Sequence, residues 1–228
     1  MNRLVLWGHQ LSEYQDMFDL PQAALSMRFL EFQSGVSSFQ ADIREQAAHL
    51  VSYDSWFELN KQALQHTAEL SFVERLSQIS QRAEELDFSC CGGSLDQLVL
   101  NRREGMTKFF QDYEPGHAEG RYLFAAQSRL PFSDFFFDYA LSAHHFFSAS
   151  APQSLDYHVK TLEELARAAK EVRIFPLVDG QGVPSAILGP VILALQHKNY
   201  GIEVRDVAYH LQPRGNAMLR IWAQQCQV

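Results

Sequence analysis

The chain has 228 residues, enough for one domain or one domain with an insertion, and long enough to bury a core without disulfides or a metal. Nineteen Lys and Arg against 27 Asp and Glu leave a net charge of −8, the wrong sign for a general nucleic-acid binder, and no run is basic. Hydrophobic residues at 46% and charged residues at 20% exclude a disordered or collagen-like chain. Cys90, Cys91 and Cys226, without CxxC spacing, point to a reducing compartment.

The apolar run Leu4-Val5-Leu6-Trp7 is shorter than a secretory leader requires and is interrupted by Gly8-His9-Gln10. Nothing approaches the ~18 consecutive apolar residues of a membrane span, so the expectation is a cytoplasmic protein. Across residues 8–20, Leu11, Tyr14, Met17 and Phe18 recur at helical spacing. They predict a helix that covers a core, or alternatively a lid laying Tyr14 or Met17 over a ligand.

Residues 27–32 read as a strand that stops at Ser34-Gly35, and 39–48 as a helix with apolar residues at 39, 43 and 47. Residues 50–53 form the next strand, closed by Asp54. A stretch of about 57–119 then holds three helices, 57–67, 69–86 and 94–113, broken at Cys91-Gly92-Gly93 and Glu114-Pro115-Gly116. It is either an extra layer on a sheet or a cap over its ligand crevice. Strands at 121–126, 135–141 and 172–177 follow, the last preceded by an amphipathic helix at 155–169. Strands alternating with helices predict an α/β fold with a parallel sheet. The final strands, 202–210 and 218–223, are joined only by the turn-rich Gln212-Pro213-Arg214-Gly215-Asn216. That link is too short for a crossover helix, so they are antiparallel. The predicted fold is a single Rossmann-like domain: a seven-stranded, mostly parallel sheet with a C-terminal antiparallel hairpin and an inserted helical cap.

Three segments could carry chemistry. Glu31-Phe32-Gln33-Ser34-Gly35 ends the first strand, where Gly35 is either an ordinary turn glycine or one that lets the backbone approach a ligand. Asp54, nineteen residues further on, is either a turn acid or a carboxylate whose two oxygens match a ribose diol. Ser142, His144 and His145 follow the fourth strand, and either histidine is a candidate general base or acceptor-orienting group, or a hydrogen-bonded core residue. No HExxH, metal-ligand spacing or GxSxG elbow is present, so no metal and no hydrolase chemistry is expected.

Several of these motifs together resemble a family of small bacterial class I S-adenosylmethionine methyltransferase-like proteins. They are Leu-Trp-Gly-His-x-Leu-x-Glu-Tyr-x-x-Met-Phe (6–18), the acid–x–x–x–Gly corner ending Ser-Ser-Phe (31–39), Val-Ser-x-Asp (51–54) and Gly-Arg-Tyr (120–122). Leu-Pro-Phe (130–132), Phe-Asp (137–138), Ala-Lys-Glu-Val-Arg-Ile-Phe-Pro-Leu (169–177) and Gly-Asn-x-Met-Leu-Arg (215–220) continue the series over nearly the whole chain. The resemblance implies S-adenosylmethionine as cofactor. Glu31 would face its ammonium, Gly35 would admit its carboxylate end, and Asp54 would bind its ribose. Ser55, Trp56, Ala126 and Gln127 would border the adenine, and Ser142 and His144 would lie near the methionine portion or the acceptor. The acceptor would be a small molecule or a protein side chain. The chain departs from the family at Gln33, where methyltransferases usually have Gly or Ala, at Ala126, where an acid often stands, and across 141–147. These departures motivate a second reading, a catalytically inactive binding or scaffold protein of the same fold. A nicotinamide oxidoreductase ranks third, opposed by the missing G-x-G-x-x-G and by the terminal hairpin.

Overall fold

The computed structural model describes residues 6–33, 35–125, 129–147 and 154–224. Among them, seven strands form one sheet: β1 (Arg28–Phe32), β2 (His49–Asp54), β3 (Tyr122–Phe124), β4 (Phe137–Ala143), β5 (Ala169–Phe175), β6 (Tyr200–Asp206) and β7 (Ala217–Ala223). Their order is β3-β2-β1-β4-β5-β7-β6. The pairs from β3 through β5 are parallel, and β7 runs antiparallel to both β5 and β6. The fold is the expected Rossmann-like one, a seven-stranded, mostly parallel sheet ending in an antiparallel pair.

The central parallel strands β1, β2, β4 and β5 are buried on both faces over most of their length, as parallel strands covered by helices must be, while the edge strands β3 and β6 are partly exposed. Phe29, Leu141, Phe175 and Met218 face one core, under α1 (Leu11–Phe18), α2 (Phe39–Ile43), α3 (Lys61–Ser80) and α4 (Leu95–Ala118). Leu30, Ala140, Val172, Ile174 and Leu219 face the other, under α5 (Leu155–Ala168) and α6 (Leu188–His197). On α5, Leu162 and Leu165 are fully buried, each worth roughly 1.5–3 kcal/mol relative to exposure. The edge strand β6 carries Glu203 and Arg205, and Arg220 of β7 bridges Glu203 to Glu171 of β5, a charged ladder that discourages pairing with another chain.

The structure corrects several expected boundaries. The helix expected at 39–48 is only Phe39–Ile43, followed by a turn. The helices expected at 57–67 and 69–86 are one helix, α3, capped by Asn60, whose Oδ1 accepts the Ala63 N–H at 2.9 Å. Phe57 lies in a short 3-10 turn before it. Glu114-Pro115-Gly116 does not break α4, which runs on to Ala118. One proline forfeits a single helical hydrogen bond, and the final turn is tied elsewhere, the Pro115 and Gly116 carbonyls accepting the Glu119 and Arg121 N–H groups at 3.0 and 2.8 Å. The strands expected at 121–126, 135–141 and 202–210 are Tyr122–Phe124, Phe137–Ala143 and Tyr200–Asp206. Among the described residues, no helix is long and apolar enough to cross a membrane.

Candidate functional site

The strand order reverses between β1 and β4, and open α/β sheets hold their ligands beyond the carboxyl ends of the strands at such a point. Past β1 the chain turns through left-handed backbone at Gln33 (φ 53°) and Gly35 (φ 68°). Glycine takes that conformation freely, whereas glutamine holds it against a steric cost of about 1–2 kcal/mol. The Gln33 Oε1 accepts from Ser55 Oγ at 3.1 Å, tying the corners after β1 and β2. Glu31 is the fourth residue of β1. Its side chain lies on the α1 face, 2% exposed, where its carboxylate accepts from Tyr14 Oη (2.6 Å), Ser37 Oγ (2.5 Å) and Ser52 Oγ (2.6 Å). Tyr14 thus serves the core and clamps Glu31.

Asp54 ends β2 and is fully buried. Its Oδ2 accepts the Gly35 N–H and its Oδ1 the Trp56 N–H, both at 2.8 Å. Burial pushes its carboxyl from 3.8 up to about 6, against the pull of those two N–H groups, and the nearby Glu31 carboxylate adds to the rise. Each oxygen gives one lone pair to the backbone, and the Ser55 hydroxyl beside the carboxyl also favours its ionised form.

Among the described residues, Ser142 Oγ near the end of β4, His144 Nε2 just past it and the Trp56 indole Nε1 are buried polar atoms without a hydrogen-bond partner. His144 also has left-handed backbone (φ 58°), its N–H donating to the Phe175 carbonyl of β5 at 2.6 Å. The two histidines diverge. The His144 ring stacks on His9, centroids 4.7 Å apart and planes 6° off parallel. His145 turns to α5 and shares a hydrogen bond with Tyr157 Oη at 2.8 Å. Burial, and then the Arg75 and Arg102 charges, hold His144 down to about 3. His9 is depressed well below its ordinary value by burial, and by Arg102, His144 and Arg75. Burial, with His158, brings His145 to about 3.

A buried network underlies this region. Arg102 of α4 is fully enclosed, pairs with Glu13, donates to Tyr209 Oη at 3.1 Å and lies 5.4 Å from the Trp7 ring centroid. His9 entered the sequence reading only as part of the 6–18 motif, and Arg75, Arg102 and Tyr209 not at all, because only the folded topology brings them near His144. Ala126 and Gln127 lie outside the described residues. Among the described residues, no group of three or more His, Cys, Asp or Glu could hold a metal ion.

No family model matches the chain. An uncharacterised protein of Methanocaldococcus jannaschii is 26% identical over 221 residues, 95% of each chain. Among solved structures, an S-adenosylmethionine-dependent methyltransferase from Aquifex aeolicus is 16% identical with a TM-score of 0.41, covering 92% of this chain and 90% of that one. The magnesium protoporphyrin IX methyltransferase of Synechocystis, with S-adenosylmethionine bound, is 10% identical with a TM-score of 0.45, covering 89% and 73%. A chain from the complex of the Haloferax volcanii Trm112 methyltransferase activator with a methyltransferase is 12% identical with a TM-score of 0.46, covering 95% and 92%. The fold assignment rests on the strand order and not on these likenesses.

The residues fit a nucleoside-type cofactor in their donor and acceptor chemistry. The Asp54 carboxylate has acceptor capacity beyond its two backbone contacts and the Ser55 hydroxyl, and among the described residues Trp56 Nε1 and Ser142 Oγ are buried groups without partners. An unpaired buried group of this kind costs about 1–3 kcal/mol, which a polar ligand would recover. Access asks for movement, since Asp54 has no exposed face.

Proposed function

We propose that the chain is a class I methyltransferase that binds S-adenosylmethionine at the carboxyl ends of β1 and β2 and methylates a small-molecule or protein acceptor presented beyond β4 and β5. The observation that carries this reading is Asp54. It is a fully buried carboxylate at the carboxyl end of β2, beside β1, fixed by one N–H from each of the two corners. When bound, the cofactor supplies an electrophilic methyl group on a sulfonium. The chain's own task is alignment, because in-line displacement needs the acceptor atom held at near-attack distance more than it needs an activated protein nucleophile. Gly35 gives the corner its turn, Asp54 accepts the diol, and Ser142 and Trp56 offer hydrogen bonds along the crevice. A ring held near 3 stores a proton poorly at neutral pH, so His144 is an orienting group in this reading and not the general base. His145 faces α5 and takes no part. A net charge of −8 favours a small molecule or a protein side chain over duplex nucleic acid, and free Cys90 and Cys91 suit the cytoplasm.

The second reading, a binding protein of the same fold without catalysis, draws on the complete burial of Asp54 and on the left-handed Gln33. Calorimetry with S-adenosylmethionine and S-adenosylhomocysteine, with NAD as control, separates the two. Micromolar binding of the first two alone supports the enzyme. No binding at millimolar concentration by folded protein sinks it.

A further inference from the structure

Past the carboxyl ends of β4 and β5 lies a mostly enclosed cavity of about 60 Å³. Distant parts of the chain wall it: Trp7 and His9 from the N-terminal segment, Arg75 from α3, His144 after β4, Phe175 at the end of β5, and Tyr209 from the link between β6 and β7. The His9–His144 stack forms one side, with His9 only 4% exposed and His144 Nε2 buried and unpartnered. Arg75 makes no ion pair among the described residues, and its guanidinium has only the Gln78 Oε1 at 3.3 Å.

The two neighbouring cations are already matched. Arg102 holds Glu13 and Tyr209. Arg82 holds Glu85 and the Gly180 carbonyl. Asp179, the carboxylate on the wall, accepts the Gln181 and Val183 N–H groups through Oδ1 and forms no ion pair with Arg75. What remains is the Arg75 guanidinium without an ion pair, among His9, His144 and aromatic rings, with the backbone-bound Asp179 as the carboxylate of the lining. That combination selects a monoanion with an apolar body. A phosphate dianion would ask for more positive charge, whereas one planar guanidinium matches a carboxylate through two parallel N–H···O bonds.

We propose that this cavity binds the carboxylate of a small organic acid, with Arg75 as its counter-ion and His144 Nε2 as a hydrogen-bonding partner. That the same acid is the methyl acceptor rests on the function proposed above. The test is a titration of histidine-labelled full-length protein, followed by ring NMR, with sodium acetate and sodium benzoate. Acetamide and benzamide serve as neutral isosteres. At least one acid should shift the His9 and His144 resonances saturably, and neither amide should. Arg75→Gln should weaken the acid about tenfold or more, the loss of one charge-assisted contact, while Arg75→Lys should retain part of the affinity. No response to either acid, equal shifts with the amides, or unchanged affinity in folded Arg75→Gln would overturn the proposal. Calorimetry with S-adenosylmethionine on the same sample keeps the two claims apart. Acid binding without cofactor binding leaves the carboxylate site standing and removes its role as acceptor site, and cofactor binding without acid binding overturns the carboxylate site alone.

Discussion

Replacing Asp54 with Asn tests whether a carboxylate is buried at the heart of the site. Raising that group from 3.8 to about 6 makes its ionised form about 3 kcal/mol costlier in the folded chain than in the unfolded one. The group's contribution to stability is therefore full below its unfolded value of 3.8 and is lost as the pH rises through about 6. Between pH 4.5 and 7.5 wild type should lose about 2 kcal/mol through this group, and the Asn variant should lose none. All other titrating groups are shared and cancel in the difference. Asn keeps one oxygen for either the Gly35 or the Trp56 N–H and turns an NH2 against the other, at about 1–3 kcal/mol. At pH 7.5 that loss and the relief of the buried charge nearly cancel, leaving Asn within about 2 kcal/mol of wild type. Ala would strand both N–H groups, so it confounds unfolding with lost binding. The assay is urea unfolding of both proteins at pH 4.5 and 7.5. A stability difference that stays constant between the two would refute the raised, buried carboxylate.

Further outcomes follow from named contacts. Arg102→Met should cost about 3–5 kcal/mol in urea unfolding by leaving Glu13 buried and unpaired, and the double variant Glu13→Gln/Arg102→Met should recover most of it. Full additivity of the two single losses would contradict the coupling. Gly105→Ala should destabilise by about 1–3 kcal/mol, since a Cβ there would sit 2.3 Å from the Gly8 carbonyl oxygen; an unchanged melting temperature would deny the close approach of the N-terminal segment to α4. Gln33→Gly should leave stability within about 1 kcal/mol, relief of the left-handed backbone offsetting the added freedom of the unfolded chain. A loss well above that would mean that the Ser55 hydrogen bond, and not the backbone, decides the position.

The central strands β1, β2 and β5 were legible because each is largely buried and reads as an apolar run closed by Ser-Gly, Asp or Pro. The terminal hairpin was legible from the shortness of the link at 212–216. Helix ends were not. Local punctuation such as Glu114-Pro115-Gly116 was overridden by hydrogen bonds that depend on Arg121. α6 went unread because Leu188-Gly189-Pro190-Val191-Ile192-Leu193 shows no helical alternation and contains both residues that usually break helices. At the site, Gly35 and Asp54 could be placed from strand ends alone. The Glu31 hydroxyl cage and the orientations of the paired histidines depend on which face of the sheet each strand residue occupies. Trp7, His9, Arg75 and Tyr209 converge only through topology, so no spacing announces them.

The most direct test of the central claim is calorimetric titration of folded protein with S-adenosylhomocysteine at pH 7.5 and pH 5.0. If an ionised Asp54 holds the ribose, binding is micromolar at pH 7.5 and about tenfold weaker at pH 5.0, since one proton must leave a group that titrates near 6. No binding at millimolar ligand, or an affinity indifferent to pH, would contradict the account.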